Sequence, residues 1–407
     1  ADVAEAPIVV AKRFWPINVM PSAAVSWLDT ALVDGRVVQG RAVVRGDVRD
    51  WPFKHGEGRF EAVAELDEAQ VLYRNDWPVG RNVSGTARFV NTGMELDLSG
   101  EVGGVAVTQA RGSIPDFGDA ILHLDVQGHG SGPALLGVLR NSPLRQRYGD
   151  YMQALDVGGS GAVTLALRIP LEQKLGEPRV DGHVDIERMD LHDPTWGIDF
   201  DAASGRVRFS EHGFSADELN VGFGGALGAL TVAVGDYTSR GEHLAEASLR
   251  GRFPAHVLTA PHAQSRWLEP WLEGESDWTL QLTVPAATPG QPASPQLRIR
   301  SDLVGTGITL PAPLRKAAAD RMPLDLRLGL PVSEAGLDLR LGGLLHLSGR
   351  NVDGGGFTGL ALFGDVPDAQ APPRGLHIAG QVPVLDAGAW AGVVAGGASG
   401  GDALHVA

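Results

Sequence analysis

Strict alternation of apolar and polar residues recurs from one end of this chain to the other. Met94-Glu95-Leu96-Asp97-Leu98-Ser99 and Leu122-His123-Leu124-Asp125-Val126-Gln127 are two instances. Val163, Leu165, Leu167 and Ile169 alternate with Thr164, Ala166 and Arg168, and Val180–Glu187 is almost free of exceptions. Further copies run over 278–284, 297–303, 324–330 and 337–341. Side chains on a strand point to opposite faces in turn, so each run has one apolar and one wet face. Gly, Pro, Asn and Asp clusters separate the runs, as antiparallel hairpins require. The chain has 55 glycines and 26 prolines in 407 residues, and this excess reads as punctuation of ordered structure. About 25 strands of ordinary length are expected. A parallel α/β fold is not expected, because its strands would be continuously apolar and separated by helices.

A slower rhythm overlies the first. Pro21–Val33 puts Val25, Leu28 and Leu32 on one helical face and ends before Gly35. Pro133–Leu155 reads as two short helices broken at Pro143, and Pro254–Leu272 as helical in parts, with breaks at Pro261 and Pro270. Leu385–Val394 is a fourth candidate. Gly251-Arg252-Phe253-Pro254 and Gly380-Gln381-Val382-Pro383 both run strand, Gly, x, apolar, Pro, helix; Gly130-Ser131-Gly132-Pro133 is a looser copy. The prolines at 21, 133, 254 and 383 recur at intervals of roughly 120 residues, far longer than leucine-rich or ankyrin periods. We therefore expect 1–407 to be one elongated segment with approximate repeats 1–132, 133–253 and 254–382, and the start of another at 383–407. The chain does not begin with methionine and its last residues read as strand, so it is expected to be a piece of a longer one.

About 25 strands at ~4.8 Å would make a continuous sheet roughly 120 Å long. Its apolar face would exceed what a soluble monomer exposes. A sandwich, a barrel, or a curled trough holding an apolar guest would each cover it. Only 6% of residues are aromatic and the inner positions are rich in leucine, which favours a smooth trough.

Motifs for chemistry are sparse. With no cysteine, disulfide scaffolds, thiolate metal sites and cysteine nucleophiles are excluded. A net charge of −15 argues against a nucleic-acid binder. There is no signal-peptide pattern and no run of ~20 apolar residues. Gly158-Gly159-Ser160-Gly161-Ala162 misses the nucleophile elbow at its last position, and Gly354–Gly359 matches Gly-x-Gly-x-x-Gly but lies between two strand patterns, where a turn is expected. Asp185, Glu187, Asp190, His192 and Asp193 form an acidic cluster in which Asp185 and Glu187 read as the wet strand face, with a cation site as the alternative. No cofactor is implied. The tryptophans are more informative. Asp50-Trp51-Pro52 and Asp76-Trp77-Pro78 echo one another, Trp15-Pro16 is a third Trp-Pro, and Trp27, Trp267 and Trp271 fall in helical segments. Such residues cover the end of a sheet, or rim a trough with the ring in grease and the N–H in water.

Trp15-Pro16, Pro21, Trp27-Leu28, the run Val44–Phe53, Tyr73, Asp76-Trp77-Pro78 and Ile114-Pro115-Asp116-Phe117 together form an ordered series. Ser142-Pro143-Leu144, Ile169-Pro170-Leu171, Asp193–Gly197 and Leu310–Lys316 continue it. In this the chain resembles the YhdP family of AsmA-like bacterial envelope proteins over nearly its whole length. The resemblance implies a repeating β-groove fold and a bridge-like lipid carrier of the periplasm, held in the inner membrane by an N-terminal helix absent here, moving phospholipid toward the outer membrane. It implies no catalytic residues.

The expected fold is mainly β: a long, curled antiparallel sheet forming an apolar groove, with a few short helical inserts. Candidate groove-lining residues are Leu122, Leu124 and Val126; Val163, Leu165, Leu167 and Ile169; Val184 and Ile186; Leu280 and Leu282; Leu297 and Ile299; and Leu326 and Leu328. Trp51, Trp77, Trp267 and Trp271 are candidate rim residues. The expected partners are phospholipid, the inner membrane and the outer membrane or its proteins, and no nucleic acid. The alternative is an assembly scaffold of the TamB/AsmA type that conducts no lipid. An enzyme acting on envelope polymers would need paired carboxylates converging in a cleft.

Overall fold

The computed structural model describes residues 2–14, 22–73, 75–119, 121–142, 145, 153–171, 175–194, 197–259, 265–286, 294–331, 336–352, 356–364 and 370–397. The fold is mainly β with a few short helices, as the alternation requires, and the chain divides into two compact units, Ala1–His212 and Gly213–Ala407.

In the first unit a meander runs through β3 (Leu32–Arg45), β4 (Arg59–Val71), β5 (Gly80–Val90), β6 (Gly93–Val102), β7 (Val105–Ile114) and β8 (Ile121–Ser131). It continues through β10 (Ser160–Pro170), β11 (Arg179–Asp193) and β12 (Ile198–Ser210). Each pairs antiparallel with the next. Two short strands, β1 (Asp2–Val3) and β2 (Ala6–Pro7), pair with the free side of β3, and β9 (Asp156–Val157) pairs with the end of β11.

In the second unit β13 (Gly213–Phe223), β14 (Ala226–Gly235), β15 (His243–Pro254), β16 (Leu272–Pro285) and β17 (Gln296–Ser301) follow the same plan. Then come β19 (Leu324–Gly329), β20 (Leu337–Leu341), β21 (Leu345–Val352) and β22 (Gly356–Phe363). A short β18 (Thr306–Ile308) pairs with the start of β16. The last strand, β23 (Gly375–Gly380), lies parallel to β22, so the sheet is mixed and the expected all-antiparallel pattern stops there.

Four helical segments fall where the proline rhythm placed them: Ser22–Ala31, Gly132–Arg140, Ala255–Thr259 with a 3-10 turn at Arg266–Trp271, and Ala387–Gly397; a one-turn helix at Ile8–Ala11 and 3-10 turns at Lys12–Phe14 and Val48–Asp50 are not expected from it. Six long strands separate the first helix from the second (β3–β8), and six more the second from the third (β10–β15). Helix 132–140 shows why such a segment turns helical. Pro133 sits in its first turn, the Ser131 hydroxyl accepts from the Ala134 N–H at 3.4 Å, and the Asn141 side-chain amide donates to the Gly137 carbonyl at 2.8 Å. Most of the expected second helix, with Pro143, lies outside the described residues, and its end at 153–155 is not helical; Trp15, Pro16, Pro21, Trp196, Pro261, Gly354 and Gly355 also lie outside them.

The glycines do more than punctuate. Gly112, Gly161 and Gly182 stand in mid-strand in the first unit, on the apolar face. A Cβ at Gly182 would lie 2.7 Å from Phe209 Cζ and 2.8 Å from Leu165 Cβ, so the neighbouring side chains lean across the space it leaves.

Candidate functional site

The register of the sheet turns separate amphipathic strands into continuous apolar rows. In the first unit one row crosses eight strands through Gly40, Ala64, Ala87, Leu96, Gly112, Leu124, Leu167 and Val180, each the direct cross-strand partner of the next. The adjacent row runs Val37, Leu66, Gly85, Leu98, Ala110, Val126, Leu165, Gly182 and Phe209. Val163 faces Val184, and Ile169 faces Leu122. The register thus brings together every first-unit groove candidate, since Ile186 faces Gly161 in the same set. Of these, Leu122, Ile169 and Ile186 are buried, whereas Leu124, Val126, Val163, Leu165, Leu167 and Val184 are partly exposed.

In the second unit one row crosses ten strands: Leu219, Leu230, Leu249, Leu280, Ile299, Leu326, Leu339, Leu347, Ala361 and Ile378. Beside it run Val232, Ala247, Leu282, Leu297, Leu328 and Leu337. All six second-unit candidates lie in these two rows and all are partly exposed. Leu339 and Leu347 belong to the first row but were not among the candidates. The 337–341 alternation was the signal for Leu339, and the short alternation Leu345-His346-Leu347-Ser348 the signal for Leu347.

The opposite face is a lattice of ion pairs. Glu61 accepts from Arg59 and Arg88, and Asp185 from Arg206 at 2.6 Å; these arginines hold both carboxyls below the ordinary carboxylate range. Arg298 donates to both oxygens of Asp325 and lowers its pKa in the same way. Asp185 of the acidic cluster is therefore an ion-pair partner on the wet face. Among the described residues no three His, Asp or Glu side chains are placed to hold a metal ion.

Part of the apolar face in the first unit is covered by the chain itself. Ile8, 1% exposed, packs with Val37, Leu66, Ala69 and Val83. Trp27 and Tyr73 pack against a cluster of Met94, Ile114, Phe117, Leu122 and Ile169, and the Trp27 indole N–H donates to the Tyr73 carbonyl at 3.1 Å. Sequence reasoning offered a sandwich, a barrel or a trough to cover this face, and not a helix. It missed that one short helix can seat a tryptophan on it.

The rim candidates differ in their settings. Trp51 lies in the β3–β4 connection, its ring 4.8 Å from that of Phe60 and 5.6 Å from Phe53. Trp77 lies in the β4–β5 connection, 5.7 Å from Tyr73. Trp267 is exposed in the 3-10 turn, and the Trp271 carbonyl accepts from the Thr309 N–H at 2.9 Å. Trp278, buried, was not a candidate; its indole N–H donates to the Phe253 carbonyl at 3.1 Å.

Two comparisons bear on these surfaces. The family described as YhdP protein matches residues 1–404. The intermembrane phospholipid transporter YhdP of Escherichia coli (strain K12) is 24% identical over 349 residues, which cover 83% of this chain and 26% of that protein. The chain thus spans about a quarter of the length of the curated relative it matches. No solved structure matches it.

Proposed function

Because the chain belongs to the YhdP family, we propose that it is a periplasmic segment of a phospholipid conduit, and that its apolar rows carry acyl chains along a groove. The observation that carries this reading is the cross-strand register of those rows, which span eight and nine strands in the first unit and ten and six in the second. A tail of roughly 15 methylenes costs about 12 kcal/mol to place in water at ~0.8 kcal/mol per CH₂. A row of Leu, Val and Ile that continues from strand to strand lets a tail advance without meeting water, while the head group stays on the open side. Such a path binds weakly and everywhere. In the full-length protein the segment would be one stretch of repeats, 1–132, 133–253, 254–382 and a beginning at 383–407, between an inner-membrane anchor and the outer membrane. Trp51, Trp77, Trp267 and Trp271 would line its rim.

The test is lipid extraction from the purified chain followed by mass spectrometry. Stoichiometric phospholipid is expected in the wild type and severe loss in the Leu165→Asp, Leu167→Asp double variant, with circular dichroism unchanged. Wild-type loading in the double variant would remove β10 from the path. A lipid-free wild type would favour a scaffold.

A further inference from the structure

A cavity of about 520 Å³ opens at the rim of the first unit from which the helices leave. It is lined by Asn75, Asp76 and Trp77 of the β4–β5 connection and by Arg140, Asn141 and Arg145, at and beyond the end of helix 132–140. Two arginines and one carboxylate stand in its lining, in a chain whose net charge is −15. Arg140 is fixed in place: its guanidinium donates to the carbonyls of Leu155 at 2.6 Å and Gln153 at 3.2 Å. Arg145 is exposed and forms no ion pair among the described residues. The cavity is joined to the apolar face by aromatic contact. The Trp77 ring lies 5.7 Å from Tyr73, and Tyr73 packs on the Met94–Ile114–Leu122 cluster. Pro78 and Val138 close over Gly103 between them, where a Cβ would lie 2.9 Å from Val138 Cγ2.

We propose that this cavity is a head-group subsite that takes the phosphodiester of a phospholipid whose tails lie on the apolar rows. The inference rests on the conduit reading for its tails. Arginine suits a phosphodiester because its planar fork meets two oxygens at once, and Trp77 suits the boundary because an indole is apolar with one polar edge. Asn75 adds a neutral amide donor to the same anion.

The experiment loads the 407-residue chain from vesicles of phosphatidylethanolamine or, separately, of diacylglycerol in phosphatidylcholine-free detergent micelles, and counts bound lipid by native mass spectrometry. A ³¹P NMR titration with glycerophosphoethanolamine, and another with inorganic phosphate, reads the cavity without tails. Arg145→Glu and Trp77→Ala are compared with wild type; Arg140 is left intact because it also holds the backbone. Arg145→Glu is expected to lose roughly tenfold in phosphatidylethanolamine retention, as the loss of one charge-assisted contact implies, with diacylglycerol loading unchanged. Equal retention in Arg145→Glu and wild type overturns the subsite, as does a parallel loss of both lipids. Inorganic phosphate that binds as tightly as glycerophosphoethanolamine overturns it in favour of a plain anion site. A wild type that takes up neither lipid but still shifts glycerophosphoethanolamine overturns the conduit and leaves the cavity standing; no shift with normal lipid uptake does the reverse.

Discussion

The two units build the same kind of apolar face from different residues. In the first, two adjacent rows each set bulk beside absence: Leu96, Gly112, Leu124 across three strands of one, and Leu165, Gly182, Phe209 across three strands of the other. In the second, Leu249, Leu280, Ile299, Leu326, Leu339 and Leu347 follow without a gap. The first unit also lays Ile8 and Trp27 of its own N-terminal segment against its rows. One face is thus partly furnished by its own chain, with glycines set between the leucines of its rows. The other presents a near-uniform surface of branched aliphatic side chains. The lesson is that one binary pattern is compatible with two surfaces of different relief, because period two specifies which residues face inward but not how large they are.

The largest effect that would sharpen this contrast lies in the second unit. Phe253 is fully buried, meets Phe223 edge-on at 5.3 Å, and leans over Gly228 and Gly251. Phe253→Ala is expected to destabilise that unit by about 3–5 kcal/mol. Hydrogen exchange should speed up across 213–407 and stay unchanged across 1–212; equal acceleration in both would break the division into units. Next comes Gly182→Ala, expected to cost about 1–3 kcal/mol in denaturant unfolding because the new methyl meets the Thr164 carbonyl and Leu165. Gly112→Ala should cost less, since the atoms nearest a new Cβ are the mobile methyls of Leu96 and Leu124 at 3.2 and 3.3 Å. If the two variants cost the same, glycine in these rows is not there to clear space. Trp27→Phe removes the hydrogen bond to the Tyr73 carbonyl and should cost about 1 kcal/mol, read by the same unfolding curves.

The smallest effect is a pH dependence. Arg298 lowers the pKa of Asp325 in the folded protein, so the unfolded chain takes up a proton first as pH falls. The stabilisation is therefore complete above the ordinary carboxylate value near 3.9 and is lost as pH drops through the lower folded value. Asp325→Asn should flatten the acid limb of the stability curve below about pH 4. An unaltered limb would show that this pair is as weak as solvent-exposed pairs commonly are.

Much of this architecture is legible in the residues. Alternation identified the strands and their inner faces, and Pro with a following apolar face located the helices at 22–31 and 132–140. Two things escaped. Gly112 and Gly182 were read as part of a turn-forming excess, because a glycine's role depends on what stands opposite it, and cross-strand partners are distant in sequence. The cover of Trp27 and Tyr73 also escaped, since a helix of ten residues gives its own face but not the surface it will meet. The parallel pairing of β23 depends on the path of the chain between 363 and 375, which no local pattern encodes.

A row of side chains in cross-strand register has a mechanical consequence. A tail drawn along it meets a fresh strand about every 4.8 Å. Its energy therefore rises and falls with that spacing instead of dropping into a single well. Over the leucine stretch of the second unit the ripples are shallow and alike, which makes for sliding. Over the first unit, where Leu124 is flanked by Gly112 and Leu165 by Gly182, they are deeper and uneven, which makes for pausing. The spacing of glycine along the rows would then set local friction, and with it the places where a moving molecule dwells.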